Sequence, residues 1–555
     1  MKKSLSIIAL ILLCVLSSAK EKVKGRVSAS LESTHHVYAD DAANNFFPTL
    51  GGGELKYLDG NRYATNNYLK VDYYKGRFSA GLQMEGYFPT TIGYPYVQDK
   101  LTLSNLYFGF VDDAYSVTAG TFYDQLGSGL LFRSWEDRAL GLNNALLGAR
   151  ATYNYKGILS LKAFYGLPRL GKVMEAPRKT GFFGLGLTDV HVAAADAAFS
   201  LSESLGWEGL SLALEGSVLY RHENLSEMAA IRGCKSDNVG WSGRVNMEFD
   251  GLYFKGEYVD AGIQYINRYF DAEKGNAQLL ELGYNARGLG ISLTGRRLQR
   301  MNQQIYTGGM EYSPSANVLS YCPAMCTQYT YMLTTLVPYN PTTGTNGMKA
   351  GEIGGQLDAF YNFRRGTVIG GKRGMKVHAN FSTYYTLDLH GRTAGSERAF
   401  TDFSLDVERQ WTKKFKTTLL YSFQDYNDHE QDHRGEQLYV GKSHTVVADL
   451  LYKWTSRFST RLELQYLASK DYQKDWMAAL LEVSFAPSWS VFASDMYNHG
   501  SSMMHYYNAG VSYAYRWIRV AAGYGRYRAG YICSGGVCRQ IPAYTGANLT
   551  LTASF

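Results

Sequence analysis

The feature that most constrains this chain is an alternation of apolar and polar residues with a period of two, recurring from end to end with almost no helical periodicity. In "YLKVDYYKGRFSAGLQMEGY", Leu69, Val71 and Tyr73 alternate with Lys70, Asp72 and Tyr74. After a Lys-Gly turn, Phe78, Ala80, Leu82 and Met84 alternate with Arg77, Ser79, Gln83 and Glu85. Such a stretch reads as a hairpin with one apolar and one polar face. The pattern returns in "ILSLKAFYG", "LYFKGEY", "VHANFSTYY", "FKTTLLYSF" and "NLTLTASF". Followed through the chain, it predicts about 24 strands, with a range of roughly 20–26.

The connections alternate as well. Short turns carry "YKG", "FDG", "NARG", "WTKK" and "WTSR". Long connections run from His35 to Asn66, Leu167 to Leu187, Arg297 to Glu352 and Thr386 to Glu397. A globular sandwich rarely keeps such an alternation, whereas an outer-membrane barrel has short periplasmic turns and long extracellular loops. Lys255 and Glu257, Arg461 and Glu463, and Arg244 and Glu248 fall on polar faces. Those faces are too charged for a packed core and suit a water-filled lumen. The expected fold is all-β: a large transmembrane antiparallel barrel with both termini in the periplasm.

Mean hydropathy alone (−0.25) would place the chain among large soluble proteins. However, 45 Tyr and 58 Gly against 11 Pro in 555 residues fit strands, turns and wet interfaces. The net charge is +7, with no basic block of the kind that binds nucleic acid.

At the N-terminus, Lys2 and Lys3 precede an apolar run from Ser4 to Leu16 and the small residues Ser17-Ser18-Ala19. This predicts a signal peptide over 1–19, its core too short to span a bilayer, and a barrel over 20–555. Cys14 follows Leu13 rather than the small residue that a lipid-attachment cysteine needs.

"ERQWTKKFKTTLLYSF" from Glu408 and "LYKWTSRFSTRLELQY" from Leu451 are near-copies. Trp411, Trp454, Trp489 and Trp517 fall at short turns, and Phe415 and Phe458 open the strands that follow. Indoles favour a membrane interface, so these six residues form an expected aromatic girdle, with Lys413, Lys414 and Arg457 among headgroups. The last strand puts Leu549, Leu551, Ala553 and Phe555 on one face. It resembles the signal by which barrel assembly machinery recognises outer-membrane barrels.

Among the cysteines, "CPAMC" (Cys322, Cys326) and "CSGGVC" (Cys533, Cys538) suggest local loop disulfides in an exported protein, with zinc as the weaker alternative. Cys234 is left over. "HEQDH" (His429 to His433) matches the H-E-x-x-H pattern, but that chemistry needs a helix and a third ligand. It sits in an acidic loop with Asp425, Asp428 and Glu436. A solvated loop is expected there, with a weak surface cation site as the alternative. "FFGLGLTD" from Phe182 does not follow a strand, so a phosphate loop is unsupported.

The densest unusual segment is "GTFYDQLGSGLLFRSWEDRALGLNNALLGAR", Gly120 to Arg150. Arg133, Glu136, Asp137, Arg138, Asn143 and Asn144 are candidates for a pore constriction if it folds inward, where opposed charge sets selectivity. The alternative is an outside loop with surface ion pairs. The segment resembles a patch in uncharacterised outer-membrane barrels of the Bacteroidota, which also have a porin-like layout; the family carries no activity to transfer. The expected function is a porin-like channel or transporter for polar solutes. The alternative is a non-transport subunit of an envelope machine for protein export, surface assembly or barrel assembly. The resemblance lends support to that alternative, because that phylum uses accessory barrels in such machines. No catalytic residue, cofactor or metal is expected. Expected partners are outer-membrane lipid, the assembly machinery during insertion and, for the alternative, other envelope proteins.

Overall fold

A computed structural model describes residues 24–48, 61–94, 101–169, 187–264, 271–301, 303, 305, 319–324, 326–336, 351–388, 393, 398–426, 441–470, 473–534 and 537–555; of Tyr531, Cys533, Cys538 and Gln540 it describes the backbone. The alternating runs become strands, and 24 of them form one sheet. Strands that are neighbours in the ring pair antiparallel. The first, Arg26–Tyr38, pairs with Tyr63–Lys75 on one side and with the last, Tyr544–Ser554, on the other. Leu31 therefore faces both Leu69 and Ala553, and the sheet closes into a barrel without a free edge. No helix among the described residues is long and apolar enough to cross a membrane.

The two faces of the cylinder invert the order of a globular protein. Leu280, Leu282, Leu464 and Tyr466 point outward and are exposed, Leu280 by 52%. Glu257, Arg244, Asn380, Gln465 and Glu463 point inward and are buried, Glu463 to 3% exposure. Exposed apolar residues on one parity and enclosed polar residues on the other are the pattern of a barrel with a polar interior.

At one end the connections are mostly tight. Asp250 and Gly251 adopt φ of 46° and 80°, the left-handed pair that a two-residue hairpin turn demands. The near-repeat has a structural cause at this end. Thr412 Oγ1 accepts from the backbone N–H groups of Lys414 (3.1 Å) and Phe415 (3.0 Å), and Thr455 Oγ1 from those of Arg457 (3.2 Å) and Phe458 (3.0 Å). Trp411 Nε1 donates to Thr417 (2.9 Å) and Trp454 Nε1 to Thr460 (3.0 Å). The two turns are the same device on adjacent hairpins, joined where Lys414 Nζ donates to the carbonyl of Trp454 at 3.1 Å. Trp411, Trp454, Trp489 and Trp517 all stand about half exposed along this rim. Phe555 joins them, its ring edge-on to Trp517 at 5.4 Å. Two connections here are longer than a turn: a short helix, Leu201–Leu205, and residues 364–374.

At the other end the strands run further than the sequence indicates. His35 pairs with Thr65, and Arg297–Gln299 extends its ladder against 351–353. Pairing satisfies the backbone of these polar strand ends, so the regular structure outlasts the apolar alternation.

Candidate functional site

Among the described residues, the long-connection end sends three segments into the cylinder. The first is 123–145. Its flanking strands, Tyr115–Phe122 and Leu146–Tyr155, pair directly, so the segment adds nothing to the ring. It folds as two minimal ribbons, Gln125–Leu126 with Phe132–Arg133 and Glu136–Asp137 with Leu142–Asn143. Its contacts fall on inward-facing side chains far apart around the ring. Asp124 meets Lys162 at 2.7 Å and Arg150 at 2.8 Å; the Ser128 N–H donates to Glu257 at 3.1 Å; Arg138 meets Glu32 at 2.6 Å. Gly127 lies so close to Glu257 and Arg244 that a Cβ there would clash, and its φ of 53° also favours glycine.

Apolar burial anchors this segment. Leu126, Leu130, Leu131 and Phe132 pack against Phe122, Phe164, Val192, Leu219, Val259 and Leu298 on the wall. Four such side chains contribute about 6–12 kcal/mol as an upper figure.

The second segment belongs to the connection between Leu289–Gln299 and Gly351–Phe363, and its described part 319–336 crosses the opposite half of the ring. Arg296 donates to the carbonyl of Pro323 at 2.6 Å and Tyr329 to Asp406 at 2.7 Å; the Leu333 N–H donates to Gln465 at 2.8 Å. Leu333 and Leu336 close against Leu467 and Trp476. The two segments also bind each other. The Arg133 N–H donates to the carbonyl of Leu319 and that of Tyr321 to Gly129, both at 2.9 Å. The third segment, the ribbon Gly530–Ser534 with Val537–Ile541, seats Val537 among Trp135, Leu140 and Leu142.

The candidate constriction residues divide by role. Glu136 accepts from Gln83 at 2.7 Å, Arg138 pairs with Glu32, and Asn143 donates to Glu85 at 3.3 Å, so these three dock on the wall. Arg133 lies over the Tyr321 ring at 4.0 Å, facing the second segment. Asp137 accepts from the Leu140 N–H at 3.0 Å, and Asn144 accepts from that of Trp135 at 2.5 Å, so both hold the segment's own shape.

Sequence reasoning missed the second segment, Glu85 and Arg169. Arg169 and Glu85 form a buried pair at 2.8 Å in which Glu85 also accepts from Tyr87 at 3.2 Å. The second segment carried a readable signal, since "YTYMLTTL" is too aromatic and apolar for a solvated outer loop.

Cys322 and Cys326 depart from expectation. Cys322 and Cys326 are free thiols, not a disulfide. Cys322 packs into the anchor cluster, whereas Cys326 packs beside Tyr384 and Phe400. Burial pushes the Cys322 thiol up to about 11 and Cys326 well above its ordinary value. Cys234 is free as well. Cys533 and Cys538 are register partners in their ribbon, and their side chains lie outside the described residues, as does the whole of "HEQDH".

No curated protein matches the chain. Solved structures resemble it at low identity. The translocation pore of the P pilus usher PapC matches at 9% identity over 95% of this chain and 99% of that one, with a TM-score of 0.45. The siderophore receptor PirA from Pseudomonas aeruginosa matches at 9% identity over 96% and 81%, with a TM-score of 0.41. A mutant porin of Rh. blastica matches at 13% identity over 58% and 93%, with a TM-score of 0.26. The whole sequence, residues 1–555, matches a family of unknown function, DUF6029, and the chain belongs to that family.

Proposed function

We propose that this protein is an integral outer-membrane barrel that passes polar solutes under the control of its own inward segments and is closed at rest. The N-terminal residues 1–19 serve as its export signal, and Leu549, Leu551 and Phe555 as its assembly signal. The outward apolar band bounded by the Trp rim supports the membrane location. The observation that carries the closed state is the bridge from Arg133 and Gly129 to Leu319 and Tyr321, which joins segments docked on opposite arcs of the wall. A simple diffusion pore would not span its lumen in this way.

The apolar anchor favours a second reading. A segment held by Leu126, Leu130, Leu131 and Phe132 stays in place, as a non-transport barrel subunit of an envelope machine would require. The Bacteroidota resemblance of Gly120–Arg150 fits that reading.

Planar-bilayer recording separates the two. The full protein is expected to conduct rarely and the variant lacking Asp124–Asn144 to conduct openly. Unchanged conductance in that variant, together with stable co-purification of other envelope proteins, would replace the channel with the subunit.

A further inference from the structure

Several arginines inside this barrel end on carboxylates. Arg169 meets Glu85 at 2.8 Å, Arg244 meets Asp196 at 2.5 Å and Arg461 meets Asp449 at 3.0 Å. Arg539, on the inward ribbon Val537–Ile541, does not. Its Nε and Nη1 are enclosed, yet neither has a hydrogen-bond partner among the described residues. Its guanidinium lies 5.2 Å from the centre of the Tyr94 ring. His36, Tyr38, Tyr68 and Asp137 are within electrostatic reach, but the Asp137 carboxylate does not pair with it.

The surroundings are polar, aromatic and under-satisfied. His36 Nδ1 and Trp135 Nε1 are also enclosed without hydrogen-bond partners among the described residues. Trp135 packs on Val537, which shares a face of the ribbon with Arg539. Tyr38 Oη accepts from the Ile92 N–H at 3.1 Å, so its own O–H is left to donate, and Tyr68 and Tyr94 share a hydroxyl contact at 2.6 Å. Burial pulls Arg539 below its ordinary value, as befits a guanidinium that no carboxylate pairs directly. An enclosed cation with idle donors beside it is costly, and an anion bound there offsets the cost.

We infer that Arg539, with Tyr38, Tyr94 and His36 around it, forms a binding site for a small oxyanion, a carboxylate or phosphate group carried by a solute, at the mouth where the long connections gather. A guanidinium suits a planar or tetrahedral oxyanion, and tyrosine rings suit the body of a sugar acid or sugar phosphate. The site deepens the solute-channel reading, and rests on it for the identification of the ligand as a passing solute.

The test is calorimetric titration of the full-length protein in zwitterionic detergent and phosphate-free buffer. Inorganic phosphate and gluconate are the probes, and glucose is the neutral control. Both anions should bind and compete with each other, and glucose should not bind. Arg539→Gln should weaken both anions by about 10- to 100-fold, the loss of one charge-assisted contact. Absence of anion binding to the wild-type protein, or equal binding by Arg539→Gln, would overturn the site. If Arg539→Gln does not fold, Arg539→Lys retains the charge without the fork. It should bind about 3- to 10-fold more weakly, and unchanged affinity would again overturn the proposal. The titration needs no conductance, so a barrel that binds phosphate but stays closed in bilayers would count against the channel alone.

Discussion

Tyr329→Phe is the sharpest perturbation of the proposed closed state. Tyr329 reaches from the second inward segment to the wall, where its hydroxyl donates to Asp406 at 2.7 Å. Asp406 also faces His378 Nδ1 at 2.8 Å, and His378 Nε2 faces Asp358 at 2.8 Å. Removing the hydroxyl therefore strands no buried charge, because Asp406 keeps His378. The loss is the net worth of one hydrogen bond to a charged group, about 1.5–3 kcal/mol. It falls entirely on the docked state, since an undocked tyrosine hydroxyl is satisfied by water. At about 1.4 kcal/mol per tenfold, undocking should become about 10- to 100-fold more frequent. Leu333 and Leu336 keep their apolar seats against Leu467 and Trp476, so the docked state remains the majority. The assay is the frequency of conductance steps in planar bilayers, paired with hydrogen exchange over 326–336. Tyr331→Phe is the control, because the Tyr331 hydroxyl makes no hydrogen bond among the described residues. If Tyr329→Phe opens no more often than Tyr331→Phe, the second segment is not the gate.

Arg169→Ala should destabilise the barrel by about 3–5 kcal/mol, read as a shift of the urea midpoint, because it leaves Glu85 buried without its cation. An unshifted midpoint would mean that water reaches Glu85. Cys322 and Cys326 should resist alkylation in the folded protein at pH 8 and both react in urea without reductant, since burial holds the Cys322 thiol up to about 11. A peptide recovered with the two joined would refute this. Deleting Phe555 removes its contact with Trp517 and its ladder bonds to Ala29 (2.6 and 2.9 Å), so less folded barrel should reach the outer membrane. Normal accumulation would dismiss the assembly role.

The ring was legible in the sequence and its contents were only partly so. The alternation in Leu69–Met84 and its repeats is a local property, because a strand side chain points to one face or the other whatever surrounds it. The strand number and the Trp rim follow from that and from turn chemistry such as Asp250-Gly251 and Thr412. Gly120 to Arg150 could be singled out by its density of charge and glycine, yet its docking sites, Glu32, Glu85 and Glu257, lie on strands far away in the chain.

Contacts of that kind depend on closure, which brings together residues with no common period. Closure also gives Cys322 and Cys326 different neighbours, placing one thiol in the anchor cluster and the other beside Tyr384 and Phe400. It leaves Arg539 facing tyrosines rather than a carboxylate. A period of two specifies which way each wall residue points; only the closed cylinder decides what those residues meet inside, because its interior is built from opposite arcs at once.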